Sequence, residues 1–334
     1  MADGNLNYLD LARRMDERGE MLPLVEVVSR LNPFVQDIVW KEGRLVTGDK
    51  FSRRTGLPGI SKRAFNQGTP ATKSRGDMVE EPCGMFSGLS KLDVSEAQLG
   101  GNELAVRLEE DEAFIESFGN VLEAEMFYGS QDVDARGFNG LFPRFEDPAG
   151  PAGQQLIDGD SDDATGDNNR TSIAIVGWGD KTVHGIVPKG KPGGLQRTDM
   201  GKQLVRDDAG LEFPGYVTSY EWTPGLAVKH YEFVARIANI HLEAMADAES
   251  PFLWEKLIEA SSRIKSLDQV QGRIYMHRRL FALLRIQALR GVKNATLSYE
   301  HLDGSKRLVP HFDGMPIRIT DGLSLAEKKI VGIP

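Results

Sequence analysis

If this chain performs chemistry, the groups would come from six histidines, one cysteine, a run of aspartates and a glycine-rich turn. His184, His230, His241, His277, His301 and His311 are scattered. No pair has the four-residue spacing of an H-E-x-x-H zinc helix. Cys83 stands alone between Pro82 and Gly84, which excludes an internal disulfide and a zinc site built from several cysteines. No base accompanies it along the sequence, so it reads as a structural thiol. Asp158, Asp160 and Asp162 begin like a calcium loop. That loop needs Gly at its sixth position and a bidentate Glu at its twelfth; Asp163 and Asn169 stand there instead. Residues 158–167 therefore read as an acidic loop. The run Gly177-Trp178-Gly179-Asp180-Lys181-Thr182 has the wrong spacing for a phosphate-binding loop, and no G-x-S-x-G elbow occurs. Carboxylates are abundant, but an acid/base pair is defined by geometry, not sequence. No residue is assigned a catalytic, cofactor-binding or metal-binding role.

Charge gives the second signal. The chain carries 40 Lys and Arg against 49 Asp and Glu, a net charge of −9. Such acidity argues against nucleic-acid affinity of the whole protein, because phosphates demand clustered cations. The distribution is uneven. Lys41, Arg44, Lys50, Arg53, Arg54, Lys62, Arg63, Lys73 and Arg75 meet only Glu42 and Asp49 over residues 41–75. Glu103, Glu109, Glu110, Asp111, Glu112, Glu116, Glu123 and Glu125 meet only Arg107 over 103–125. Charge runs are commonly solvated faces, yet the basic run lies on a segment that is too poor in apolar residues to bury itself. Its glycines and prolines suit a projecting hairpin turning near Gly56, Pro58 and Gly59, with Arg53-Arg54 and Lys62-Arg63 on either side. The expected interface residues are Arg53, Arg54, Lys62 and Arg63 on this arm, facing Glu109, Glu110, Asp111 and Glu112 on another copy. Such charges would steer and register assembly, at about 0–1 kcal/mol per exposed pair. Nucleic acid is the weaker target, since only Phe51 and Phe65 could stack on bases.

The elements that position these charges follow from periodicity and punctuation. Residues 5–31 read as two helical pieces divided at Pro23, the second closed by Asn32-Pro33. Residues 103–128 read as the longest helix, capped by Asn102 and stopped at Gly129. At 1.5 Å per residue it spans about 39 Å. Residues 172–179 and 181–190 read as a strand pair joined at Gly179-Asp180, and 195–240 as several strands with turns at 208–210 and 223–225. Helices are expected over 251–266, capped by Ser250, and over 273–289. The chain then returns to strands over 295–300 and 307–320, with a turn at Asp313-Gly314. Helices and antiparallel strands in separate runs argue for an α+β fold. No stretch reaches 18 apolar residues, and the N-terminal residues lack a secretory signal pattern.

Several segments resemble the major capsid proteins of short-tailed and related phages. They are PLVEVVSRLNPFVQDIVWKEG (23–43), FSRRTGLPGISKRAFNQGTPATKS (51–74), GWGDKTVHGIVPKG (177–190) with GLQ (194–196), GYVTSYEWTPGLAVKHYEFVARIANI (215–240) and HFDGMPIRITDGL (311–323). The resemblance implies a Hong-Kong-ninety-seven-like fold, with its strand order rearranged because Gly314-Met315-Pro316 comes so near the end. It implies an N-terminal arm (1–40), an extended loop (41–80), a peripheral domain with a spine helix (81–250) and helices with C-terminal strands forming an axial domain (251–334). It further implies hexameric and pentameric capsomers, a portal protein, a decoration or cement protein, a scaffold protein, and packaged double-stranded DNA held without sequence-specific binding. Location would be the virion, after synthesis in the host bacterial cytoplasm and with no membrane partner. An encapsulin-like compartment shell shares the fold and stands as the alternative, with an enzyme of unrecognised class behind it.

Overall fold

The computed structural model describes residues 33–99, 103–159, 170–206, 210–242, 253–265, 270–290, 297–301 and 308–333. The helical pieces expected over 5–31, the caps at Asn102 and Ser250, and the acidic loop from Asp160 onward lie outside the described residues.

A ten-stranded sheet forms the body. Its middle is β6 (Arg170–Trp178), flanked antiparallel by β11 (Val234–His241) and β12 (Gln271–His277). Beyond β11 lies β5 (Leu156–Asp158). Beyond β12 come β15 (Met315–Thr320), β14 (Leu308–Phe312) and β13 (Leu297–His301). At the far side β7 (Val183–Val187) takes β1 (Trp40–Glu42) in parallel and β10 (Gly225–Val228) antiparallel.

Strand side chains alternate between faces, and β6 shows what each face meets. Ala174, Val176 and Trp178 join a cluster containing Phe118, Leu122 and Phe127 of a long helix, here α3 (Glu103–Tyr128). Ile173 and Ile175 join a second cluster with Leu257 of α4 (Leu253–Arg263) and Leu284 of α5 (Arg278–Arg290). The sheet is thus covered on both faces. A short α1 (Pro33–Asp37) contributes Phe34, which packs edge-on against Tyr275 and Trp178.

Two smaller sheets leave the body. β2 (Gly48–Gly56) and β3 (Arg75–Pro82) form an isolated antiparallel ladder. β4 (Phe86–Asp93), β9 (Glu212–Trp222) and β8 (Gln196–Arg206) form a three-stranded sheet, and the brief α2 (Val94–Leu99) leads from it toward α3. α3 crosses this sheet closely: a Cβ on Gly88 would come 3.0 Å from the Phe118 ring. Phe114 stacks on Tyr220 at 4.9 Å.

Three expectations change. β6 and β7 are not a hairpin; they meet only at Trp178 and Val183. The Thr182 hydroxyl donates to Gly177 O at 2.8 Å and tightens a turn that sends β7 between β1 and β10. The helix expected from 273 begins at Arg278, because Arg273 to His277 belong to β12. Ile274, Tyr275 and Met276 are all fully buried, and a strand covered on both faces reads as an unbroken apolar run. The boundary drawn at 250 falls inside one sheet, since β12 lies between β6 and β15.

Candidate inter-subunit surfaces

The projecting hairpin is defined by what does not touch it. Residues 57–78 are exposed throughout, and Ile60 and Phe65 are 97% and 100% exposed. The turn lies at Ala64–Gln67 rather than at Gly56–Gly59: Gln67 N donates to Ala64 O, and Asn66 takes a φ of 61°. Asparagine tolerates this left-handed region better than other side chains with a Cβ. Lys62 and Arg63 lie on the way to that turn, exposed. The Thr72 hydroxyl donates to Gly59 O at 2.7 Å and ties the two limbs together.

The hairpin base, by contrast, is anchored. Phe51 is buried against Ile186 and Ala227. Glu81 is buried and accepts two hydrogen bonds from Arg144, at 2.5 and 2.7 Å. Arg144 also donates to Asn139 O and Gly140 O. Arg53 lies 3.8 Å from Glu81 and donates to Val228 O, Lys229 O and the Tyr231 hydroxyl, with its guanidinium over the Tyr231 ring. Here the expectation is corrected: Arg53 is held within its own subunit, and reversing its charge would damage the hairpin base. Arg54, one residue on, is exposed.

The acidic helix divides the same way. Glu109, Glu110, Glu112 and Glu116 are exposed on α3. Asp111 is not part of that ridge. It is buried, accepts from the Tyr220 hydroxyl, and pairs with Arg197 at 2.7 Å. Burial and the bond to Asp111 push the Tyr220 phenol far above its usual range. Glu123 is also buried, accepting from the Thr320 hydroxyl. Helical geometry explains the split, since 109, 112 and 116 share a face while 111 points toward the three-stranded sheet.

Sequence reasoning missed the buried ion pairs that hold these surfaces in place. Asp37 accepts from Arg318 at 2.5 and 2.7 Å, from Arg273 at 3.0 Å and from the Tyr275 hydroxyl at 3.1 Å, fastening α1 to β12 and β15. Glu327 accepts from Arg236 at 2.9 Å, from the Tyr128 hydroxyl at 2.5 Å and from the Ser172 hydroxyl, pinning the C-terminal segment across α3 and β6. Partners so far apart in the chain leave no local signal. Cys83 is partly buried, and burial pushes its thiol up to about 12, as a structural thiol requires.

The surfaces therefore comprise a rigidly rooted basic projection and an acidic helix ridge, with no cluster of three or more metal-ligating side chains among the described residues. The structure resembles a chain of the near-atomic structure of bacteriophage Epsilon15 derived from cryo-electron microscopy, at 23% identity and a TM-score of 0.69, over 98% of this chain and 97% of that one. The bacteriophage JBD30 capsid is more distant, at 8% identity and a TM-score of 0.48 over 86% and 90% of the two chains. An encapsulin from Synechococcus elongatus reaches 13% identity and a TM-score of 0.41 over 72% and 97%, too weak a likeness to support the compartment alternative. No curated protein matches the chain. The family described as major capsid protein GP7 matches residues 16–331, so nearly the whole chain belongs to that family, and the protein is a shell subunit of a phage head.

Proposed function

We propose that each subunit registers against its neighbour by laying the 57–74 loop across a second copy, with Arg54, Lys62 and Arg63 facing Glu109, Glu110 and Glu112 of that copy. The supporting observation is the complete exposure of 57–78 on a ladder whose base is locked by buried charges. A segment ordered in direction yet bare of its own contacts gains its packing from a partner. In this reading α3 with the three-stranded sheet forms the peripheral part, and the region carrying α4 and α5 lies toward the capsomer axis. The role is mechanical and assigns catalysis to no residue. Hexamers and pentamers would enclose double-stranded DNA without reading its sequence, and would meet portal, scaffold and decoration proteins during assembly in the host cytoplasm.

The test is a particle count by electron microscopy. Arg54→Glu with Lys62→Glu should leave the subunit folded and cut particle numbers sharply, because like charges would meet at every repeated contact. Glu109→Arg with Glu110→Arg should do the same, and the combination should restore particles in part. Normal assembly of the arm reversal would refute the registration, leaving the shell assignment intact.

A further inference from the structure

Between the root of the hairpin and the chain entering β11 lies a cleft of about 500 Å³. Ser52, Arg54, Ser74, Arg75, Gly76 and His230 line it. Two guanidinium groups, two hydroxyls and an imidazole face it, and no carboxylate does. A second cleft of about 420 Å³ shares Arg54 and His230 and adds Lys265 and Glu232. Those two pair with each other at 3.0 Å, so they leave the first cleft's charge standing.

The ladder register explains why the charge is not cancelled internally. Arg54 stands opposite Gly76, and Arg53 opposite Asp77. Successive residues point to opposite faces, so Asp77 lies on the face away from Arg54. Arg53 serves Glu81 and the 228–231 segment on that other face. Among the described residues neither the Arg54 nor the Arg75 side chain has an ion-pair or hydrogen-bond partner. Gly76 keeps the floor open: a Cβ there would come 3.1 Å from both Ser52 Oγ and Arg53 O. Partial burial is the first cause that holds His230 below its ordinary value, with Glu232 pulling it up and Arg53, Arg54 and Lys265 pulling it down.

We infer that this cleft receives a carboxylate side chain from a neighbouring copy of the chain. Guanidinium forks bind carboxylates through paired hydrogen bonds. In a shell a subunit packs chiefly against copies of itself, and this chain carries nine more acids than bases. Guanidinium forks hold phosphate as well, so a nucleic-acid backbone is the outcome that the experiment below separates from a carboxylate. The inference rests on the shell assignment and not on the ridge pairing proposed above.

The experiment places an amine in the cleft. Arg75→Lys keeps the charge on an exposed side chain without partners, so shells should form. Shells assembled from isotopically heavy and light subunits are treated with a zero-length carbodiimide, which joins an amine only to a carboxylate in contact with it. Mass spectrometry should find the introduced lysine joined to an acidic peptide in heavy–light pairs. If that peptide lies outside α3, this inference stands while the ridge pairing falls. Cross-links confined to one subunit, such as to Asp77 or Glu232, would overturn it. Arg75→Ala should lower shell yield several-fold, most at low salt; an unchanged yield would overturn it too. A loss of oligonucleotide binding in Arg75→Ala without any cross-link in Arg75→Lys would reassign the cleft to phosphate.

Discussion

Replacing Glu81 with alanine removes the buried carboxylate that holds the Arg144 fork at the base of the projecting hairpin. The side chain is 4% exposed and takes both hydrogen bonds of the Arg144 fork. Breaking a buried ion pair by deleting one partner costs about 3–5 kcal/mol, since the other charge stays buried. Arg144 retains Asn139 O at 2.8 Å and Gly140 O at 2.9 Å, and Arg53 retains its carbonyls and Tyr231. The lower end, about 3 kcal/mol, therefore applies. At about 1.4 kcal/mol per decade this is about a hundredfold rise in local opening. The ladder joins the body at few places, so the loss should appear as opening of β2 and β3 before global unfolding. The assay is amide hydrogen exchange on assembled capsomers, comparing 48–54 and 76–82 with the amides of β6. Pairing with Arg144→Ala closes a double-mutant cycle, where removing both charges should cost less than the two single losses together. Acceleration below about threefold in the ladder, or equal acceleration in β6, would refute the idea that this pair sets the hairpin's direction.

Three further outcomes follow from the same geometry. Asp37→Asn leaves the buried Arg318 and half-buried Arg273 guanidinium groups on a neutral amide and should lower the thermal midpoint by several degrees, with release of Phe34 seen as a fluorescence change at Trp178. His184 is buried, neither ring nitrogen has a hydrogen-bond partner among the described residues, and burial lowers it to about 4. Its folded pKa lies below the unfolded value of 6.5, so the unfolded chain binds the extra proton between pH 6.5 and 4 and stability falls as pH drops through that window; denaturation midpoints at pH 7 and pH 4.5 should converge in His184→Phe. Gly314, at a φ of 73° beside Asp313 at 50°, forms the tight turn between β14 and β15, and Gly314→Ala should cost about 1 kcal/mol by denaturant titration.

How much of this was legible depends on how far each signal reaches along the chain. α3 ran from Glu103 to Tyr128 as its apolar spacing predicts, because the positions that fill its core face and the glycine that follows are neighbours in sequence. The Asp313-Gly314 turn was equally local. β12 was misread because Ile274, Tyr275 and Met276 are covered from both sides, which erases the alternation that distinguishes a strand. The charge blocks were visible, but their division was not. Arg53 and Arg54 are adjacent and chemically identical, yet the ladder's two faces give one to Tyr231 and Glu81 and the other to an open cleft. Asp111 and Glu110 part in the same way across one step of a helix. The block of like charge in this chain is therefore two populations: those that stiffen the subunit, and those left exposed. Only the partners, which lie up to hundreds of residues away, decide which is which.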